Sequence, residues 1–189
     1  MTDLLAPEQF VALFRGFEHT AQRLETRDRY VVAAEQAALG RFLAGQKDDP
    51  IYEQERAFWD REIVPEAVTA GKRFERVRVV PDPLTNYLRF TLRGAGYLKR
   101  AGDDIRYVNR ENANALDLPA HDFWLFDSAR LVSLYFTAND RLLGIQVITE
   151  PHVVRQHVQW FDLAMRHATP YKEYLAEDPT RDNPPTGAA

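Results

Sequence analysis

The chain has 189 residues, 45% of them hydrophobic and 12% aromatic, so it can bury the core of one domain. Its formal net charge of −4 and its lack of cysteine exclude strong non-specific attraction to nucleic acid or anionic lipid, disulfides and thiolate metal sites. The early residues do not resemble a secretory signal, and no apolar run is long enough for a membrane span. We therefore expect a cytoplasmic protein without direct contact to nucleic acid or membrane.

The amino-terminal third predicts helices separated by a charged stretch. Apolar residues at helical spacing predict a helix over residues 8–22. The charged stretch Arg23–Tyr30 follows, and its alternation favours a short strand or an extended turn. Residues 34–44 and 52–70 return to a helical pattern, with Pro65 expected to kink or restart the second of these helices.

The middle of the chain predicts a strand, a helix and a second strand. Valines alternate with arginines over residues 73–80, which is typical of a strand. Thr85 can cap the following helix, although Gly94 and Gly96 weaken its far end. Residues 104–108 predict another strand, and a short helix or turn comes after it.

Three short apolar runs separated by turn formers predict the strands of an antiparallel meander: 123–126, 131–136 and 142–148. Pro151 then begins a last helix that extends to about Ala168. Residues 176–189 predict a disordered tail, so that residues 1–175 form the folded part. The order of elements predicts a single α/β domain whose mixed sheet has a C-terminal antiparallel meander and is flanked by helices.

Motifs for the common catalytic sites are absent from the sequence. It contains no nucleophile elbow, dinucleotide fingerprint or phosphate-binding loop. His152 and His157 share a predicted helix, but a separation of five residues does not place two metal ligands on one face. We therefore expect neither a metal nor a cofactor. Asp122 and Asp127 bracket the aromatic strand and are candidates for acid–base chemistry, although turn formation alone also explains Asp127.

Arginine and tyrosine near predicted strand ends suggest a binding site. Arg27 offers a planar guanidinium to an anion, and Tyr30 adds a hydrogen bond and an apolar face. The alternative is an internal Arg–Glu network that ties the first helix to the sheet. Tyr87 and Arg89 form a second group after the first clear strand. The tryptophan of the meander, Trp124, fits either a pocket wall or a core position. The candidate ligand-binding residues are Arg27, Tyr30, Arg78, Tyr87, Arg89, Trp124 and Asp127.

Four parts of the sequence resemble an actinobacterial family of unknown function over about residues 9–174. These are Phe14–Phe17, Arg23–Tyr30, Arg76–Val80 with Leu84–Phe90, and Asp122–Asp127. Members of that family are often encoded beside helix-turn-helix regulators. The resemblance therefore implies a regulatory or accessory role.

The predicted order of elements is more distantly similar to the phospholipase D-like half-domain. Catalysis in that superfamily needs a histidine and a lysine two residues apart and an aspartate further on. Here His121 is followed by Phe123 at the lysine position, and Asp127 falls one residue short of the expected place. The similarity therefore implies the architecture without phosphodiesterase activity.

These observations favour a non-enzymatic cytoplasmic binding module. It would act with a helix-turn-helix transcription regulator or sense a small anionic ligand. The alternative is an enzyme for a small molecule or a phosphoester, with Asp122 or Asp127 as acid or base and Arg89 as the anion clamp. The sequence leaves the oligomeric state open.

Overall fold

The computed structural model describes Leu4, Leu5 and residues 7–46 and 62–185. Its α-helices are α1 (Pro7–Arg15), α2 (Gln36–Leu43), α3 (Val64–Thr69), α4 (Asn86–Ala101), α5 (Arg110–Ala115), α6 (Pro151–His167) and α7 (Tyr171–Glu177). Its strands are β1 (Thr20–Glu25), β2 (Arg73–Val80), β3 (Asp104–Asn109), β4 (Phe123–Phe126), β5 (Arg130–Phe136), β6 (Leu142–Ile148) and β7 (Thr169–Pro170). One turn of 3₁₀-helix, Ala33–Glu35, leads into α2.

The seven strands form one mixed sheet in the order β6-β5-β4-β1-β2-β3-β7. Strands β1, β2 and β3 are parallel, and all other neighbours are antiparallel. Parallel neighbours need a crossover connection, and α4 supplies the one between β2 and β3. Tight turns suffice for β4, β5 and β6. The predicted single α/β domain with a mixed sheet and a C-terminal meander is confirmed.

Successive side chains of a strand point to opposite faces, and helices cover both faces of this sheet. The first face, here called the α6 face, packs against α5 and α6 and includes Leu24, Val77, Val79, Val108, Phe123, Leu125 and Leu131. The second, here called the α4 face, packs against α1, α3, α4 and α7 and includes Ala21, Phe74, Ile105, Trp124, Phe126, Val132 and Leu134.

The helix predicted over residues 8–22 is wrong beyond Arg15, because Thr20–Glu25 forms the central strand β1. Ala21 and Leu24 fit the helical spacing, but in the strand they point to opposite faces and are both fully buried. A short run of apolar residues can match both the helical and the strand periodicity. Pairing with β2 and β4 decides in favour of the strand.

Helix α4 begins and ends with local signals. The Thr85 hydroxyl accepts a hydrogen bond from the Leu88 N–H at 3.2 Å, as the predicted N-cap requires. The helix continues through Gly94 and Gly96 and stops at Gly102, whose φ of +104° is left-handed. A Cβ on Gly102 would lie only 2.7 Å from a Val68 methyl, so this position also needs glycine for close packing.

The remaining elements differ from the sequence predictions mainly at their boundaries. Residues 52–61 of one predicted helix lie outside the described residues, and α3 follows them with Pro65 in its first turn, where proline is tolerated. Helix α7 was not predicted and overlaps the start of the predicted tail, whose last residues, 186–189, also lie outside the described part. No described helix is both long and apolar enough to span a membrane. The phospholipase D-like relationship stays a prediction.

Candidate ligand-binding site

Four charged side chains from β1 and β2 lie together on the α4 face. The parallel register places Arg23 opposite Arg76 and Glu25 opposite Arg78. Because these residues alternate with the buried Leu24 and its neighbours on the other face, all four point to the same side of the sheet. Glu25 is 2% exposed, and Arg23 and Arg78 are each 8% exposed. We call this group the arginine floor.

Glu25 is at the centre of the arginine floor. Its Oε2 lies 2.6 Å from Nε and 2.5 Å from Nη2 of Arg78, and its Oε1 lies 3.0 Å from Nε of Arg23 and 3.5 Å from Nη1 of Arg76. Burial opposes ionisation of the carboxyl, but the three guanidinium charges outweigh it and lower the pKa of Glu25 to about 2. Burial also opposes the charge of Arg78, and Glu25 overcomes it, so the pKa of Arg78 is raised. Glu25 and Arg78 are therefore both charged at neutral pH.

Aromatic rings support the guanidinium groups. Those of Arg23 and Arg76 lie 5.2 Å and 5.8 Å from the centre of the Trp124 ring. The Tyr30 ring lies 5.7 Å from the guanidinium of Arg23 and 5.9 Å from that of Arg78. Arginine is weakly hydrated and stacks on aromatic faces, so these rings lower the cost of burying the charges.

A cavity of about 350 Å³ opens over the arginine floor. Its walls are mainly apolar and come from α1, α4, β5 and β6: Phe10, Phe90, Ala95, Leu98, Leu134, Phe136 and Leu142. Tyrosine side chains and two further carboxylates complete the lining: Tyr30, Tyr87, Tyr107, Glu35 and Asp140. An apolar enclosure with a few polar groups at one end is typical of a small-molecule site.

Asp122 braces one side of the cavity. Its Oδ1 accepts hydrogen bonds from the N–H of Thr26 at 2.9 Å and from the Thr26 hydroxyl at 2.8 Å. Its Oδ2 accepts a hydrogen bond from the Tyr30 hydroxyl and lies 3.9 Å from Nη2 of Arg23. Burial, followed by the charges of Asp122 and Glu25, raises the pKa of Tyr30, which keeps its hydroxyl protonated as the donor. Asp122, a candidate acid or base, therefore positions two lining residues.

Helix α4 and the segment before α2 form the opposite side. The Tyr87 hydroxyl donates a hydrogen bond to Oε2 of Glu35 at 2.9 Å. Burial and then the Glu35 charge raise the pKa of Tyr87, so this hydroxyl also remains a donor. The Thr91 hydroxyl accepts a hydrogen bond from Nη1 of Arg78 and donates one to the carbonyl of Leu88. These bonds tie α4 to the arginine floor.

Arg27 contacts two lining residues without lining the cavity. Its guanidinium pairs with Asp140 in the turn between β5 and β6 and lies 4.9 Å from the centre of the Phe136 ring. The Val31 N–H donates to the Asp140 carbonyl at 2.9 Å. The segment after β1 is therefore tied to this turn through side chain and backbone.

Two predicted site residues lie elsewhere. Arg89 donates to the Thr180 carbonyl at 3.3 Å and lines a separate polar cleft of about 510 Å³ at the carboxyl ends of β2 and β3. Asp127, in the turn after β4, accepts hydrogen bonds from the N–H groups of Glu18, His19 and Thr20 at 2.9, 2.7 and 2.9 Å. Burial works against ionisation of Asp127, but these backbone bonds outweigh it and lower its pKa. Its geometry is that of a loop anchor.

Of the seven candidate residues, the structure therefore brings Tyr30, Arg78 and Tyr87 together in the cavity lining, with Trp124 packed against the floor. Binding by these residues stays a prediction. Sequence reasoning placed Arg23 and Glu25 in a polar cluster with Arg27 and Tyr30 but did not name them, or Arg76, among the candidate binding residues. Their signal was present as charged residues alternating with apolar ones in two segments, but this pattern is equally typical of a strand with one face in solvent.

No group of three or more histidine, aspartate or glutamate side chains in the described part of the chain could hold a metal ion. No curated protein matches the chain. A family model for a domain of unknown function, DUF6879, matches residues 8–176, which include every described strand and the whole arginine floor. The chain therefore belongs to the DUF6879 family.

Proposed function

We propose that this protein is a non-enzymatic binding module that holds a small amphipathic anion in the cavity over the arginine floor. The observation that carries the proposal is that three guanidinium groups, two of them buried, share one carboxylate at the base of an apolar cavity. The anionic group of the ligand binds at the floor, and its apolar body packs against the walls.

Arg78 is the principal anion-binding residue in this proposal. Arg76 and Arg23 also approach Asp103 and Asp122, at 3.2 Å and 3.9 Å, outside the cavity lining. Among the described residues, Glu25 is the only acid within ion-pair distance of Arg78. Because a guanidinium presents five donors in a plane, Arg78 can bind Glu25 along one edge and a carboxylate, sulfonate or phosphate along another.

The volume and lining restrict the ligand class. About 350 Å³ is at the small end of the range for ligand pockets, which favours a molecule with one ring system or a short chain. The aromatic and aliphatic walls favour an apolar body over a sugar or a nucleotide. The hydroxyls of Tyr30 and Tyr87 already donate to Asp122 and Glu35, so specificity for an anion depends mainly on the arginines.

We further propose that the module works in the cytoplasm with a helix-turn-helix transcription regulator. The support for this partner is the resemblance of four sequence runs to an actinobacterial family encoded beside such regulators. Ligand in the cavity would contact Phe136 and Asp140, which connect to Arg27 and the segment after β1. We expect a bound ligand to stabilise this contact between the two segments.

The alternative of an enzyme that uses Asp122 or Asp127 has weaker support. Both oxygens of Asp122 accept hydrogen bonds from Thr26 or Tyr30, and Asp127 accepts three from backbone N–H groups. Both carboxylates are therefore engaged in structural hydrogen bonds, and neither lines the cavity.

Isothermal titration calorimetry with naphthoate, naphthalenesulfonate and naphthyl phosphate tests the proposal, with uncharged naphthalenemethanol as the matched compound. We expect saturable binding of at least one anion, at least about tenfold tighter than that of the alcohol, because only the anion gains charge-assisted hydrogen bonds. Equal affinity for acid and alcohol, or no binding of any anion, would overturn the proposal.

A variant pair locates the site. Ala95→Phe places a ring in the cavity from α4, whereas Ala37→Phe adds the same ring on the exposed side of α2. We expect Ala95→Phe to abolish anion binding and Ala37→Phe to retain it, with circular dichroism confirming that both variants fold. Unchanged binding by Ala95→Phe would place the ligand elsewhere.

A further inference from the structure

Two imidazole rings meet behind the cavity, between the segment before β4 and helix α6. Nε2 of His121 lies 3.0 Å from Nε2 of His157, and the ring planes cross at 63°. Phe123 and Trp160 pack edge-to-face against His157, with ring centres 4.9 Å and 5.0 Å away. His157 is 7% exposed, whereas His121 is exposed. The contact between the two Nε2 atoms thus lies at the boundary between core and solvent.

The proton positions follow from the hydrogen-bond partners. Nδ1 of His157 is 2.9 Å from the carbonyl of Val153, which can only accept, so Nδ1 carries a proton. In the neutral ring Nε2 of His157 is then an acceptor, and Nε2 of His121 is the donor. A single added proton preserves a hydrogen bond between the two Nε2 atoms, because it is placed at Nδ1 of His121 or, with the other His121 tautomer, at Nε2 of His157. A second proton directs two N–H groups at each other and breaks the bond.

His121 is connected to the cavity through the next residue in the chain, Asp122. The Asp122 carboxylate accepts hydrogen bonds from Thr26 and Tyr30, and its carbonyl accepts one from the Leu134 N–H at 3.1 Å. Tyr30 and Leu134 both line the cavity. A displacement of His121 would therefore move Asp122, and with it the lining residues Tyr30 and Leu134.

We propose that the His121–His157 pair is an acid-sensitive fastener between α6 and the segment before β4, and that its opening weakens anion binding in the cavity. The second half of this statement rests on the proposed function. The first half depends only on the pair and on the helix that carries His157.

The electrostatic surroundings agree with a neutral pair at neutral pH. Burial first and then the charge of His157 lower the pKa of His121, while Asp122 acts in the opposite direction. Burial lowers the pKa of His157, and its hydrogen bond to Val153 opposes this. Among the described groups packed around the pair, Asp122 is therefore the one whose charge favours protonation. A depressed folded-state pKa means that the unfolded chain binds more protons below about pH 6.5, so stability falls as the pH drops through that range.

Urea unfolding from about pH 7.5 to about pH 5 tests the fastener without any ligand. We expect the unfolding midpoint of the wild type to fall with pH, and His157→Gln to remove much of that fall. His152→Gln, an exposed position on the same helix, is the matched control and should retain the wild-type profile. Profiles of equal slope in the wild type and His157→Gln would overturn the proposal.

Titration with naphthalenesulfonate over the same range tests the link to the cavity, because a sulfonate keeps its charge throughout. We expect affinity to fall about fivefold between pH 7.5 and 5.5 in the wild type and less than about twofold in His157→Gln. The same loss in both proteins would overturn the link. Failure of the sulfonate to bind at any pH would instead count against the proposed function, and the unfolding data would still decide on the fastener.

Discussion

Both faces of the sheet pack an apolar core, yet only the α4 face also carries the arginine floor. On the α6 face Leu24, Val77 and Leu125 are all 0% exposed and pack against a helix. On the α4 face β1 and β2 present Arg23, Glu25 and their partners to a cavity, beside the apolar residues of that face. Apolar packing on both sides therefore holds the strands in place and leaves room for charged groups at one part of the α4 face.

The charges of the arginine floor do not make the protein more stable than apolar side chains would. Burying a large aliphatic side chain contributes about 1.5–3 kcal/mol, whereas a buried ion pair recovers its desolvation cost only with good geometry. An all-apolar α4 face would therefore be at least as stable as the arginine floor. The charges are therefore better explained by the proposed binding than by stability. Removal of one partner alone should still be damaging, because it leaves the other buried charge uncompensated.

The largest effect is expected from Glu25→Gln. It leaves three guanidinium groups, two of them buried, without their shared charge, and we expect a loss of about 3–5 kcal/mol in the free energy of unfolding. Because the pKa of Glu25 is lowered from 4.5 to about 2, its contribution is present above pH 4.5 and disappears as the pH falls through 2. Urea unfolding at neutral pH and in acid measures both effects.

Glu75→Gln is the matched control for this prediction. Glu75 lies on β2, is partly exposed and accepts a hydrogen bond from the Gln22 side chain at 2.8 Å. Its replacement should cost less than about 1 kcal/mol. If the two variants were equally stable, the arginine floor would not depend on its central carboxylate.

Leu125→Ala addresses the α6 face and should have the next largest effect. Leu125 is fully buried between β4 and α6, so truncation removes apolar contacts and leaves a space that the sheet cannot close. We expect a loss of about 3 kcal/mol in urea unfolding, with no change in the affinity for naphthalenesulfonate. A variant that kept its stability but lost anion binding would reverse the division of roles between the two faces.

Asp127→Asn should have the smallest effect, because this carboxylate lies in a loop at the end of β4 rather than on either face. An asparagine oxygen can replace Oδ1, which accepts from the N–H groups of His19 and Thr20, but the NH2 group in place of Oδ2 cannot accept from Glu18. The charge is lost as well, and we expect a loss of about 1 kcal/mol. The lowered pKa of Asp127 means that its contribution is present above about pH 3.8 and is lost as the pH falls further. Thermal unfolding against pH measures this.

Asp117→Asn is the corresponding control, since Asp117 shares a positive φ of 54° and its carboxylate accepts no hydrogen bond among the described contacts. We expect it to leave stability within about 0.5 kcal/mol of the wild type. If Asp127→Asn instead abolished turnover of a phosphoester in an activity screen, the enzyme alternative would replace the binding module.

Local rules in the sequence were sufficient for much of the fold. Alternation over residues 73–80 predicted β2 at its observed bounds, and the Thr85 cap predicted the start of α4. Turn formers between the three apolar runs predicted the meander. These features depend on residues close together in the chain, so their physics is already present in a short peptide.

Long-range contacts decided the rest. The segment Thr20–Glu25 became a strand because β2 and β4 pair with it on both sides, which its ambiguous apolar spacing could not specify. Alternation showed that Arg76 and Arg78 share one face but not that helices would cover it. Burial, and with it the whole arginine floor, results from where α1 and α4 pack. The sequence of a single strand does not specify which helices will pack on it, because those helices are formed by residues far away in the chain.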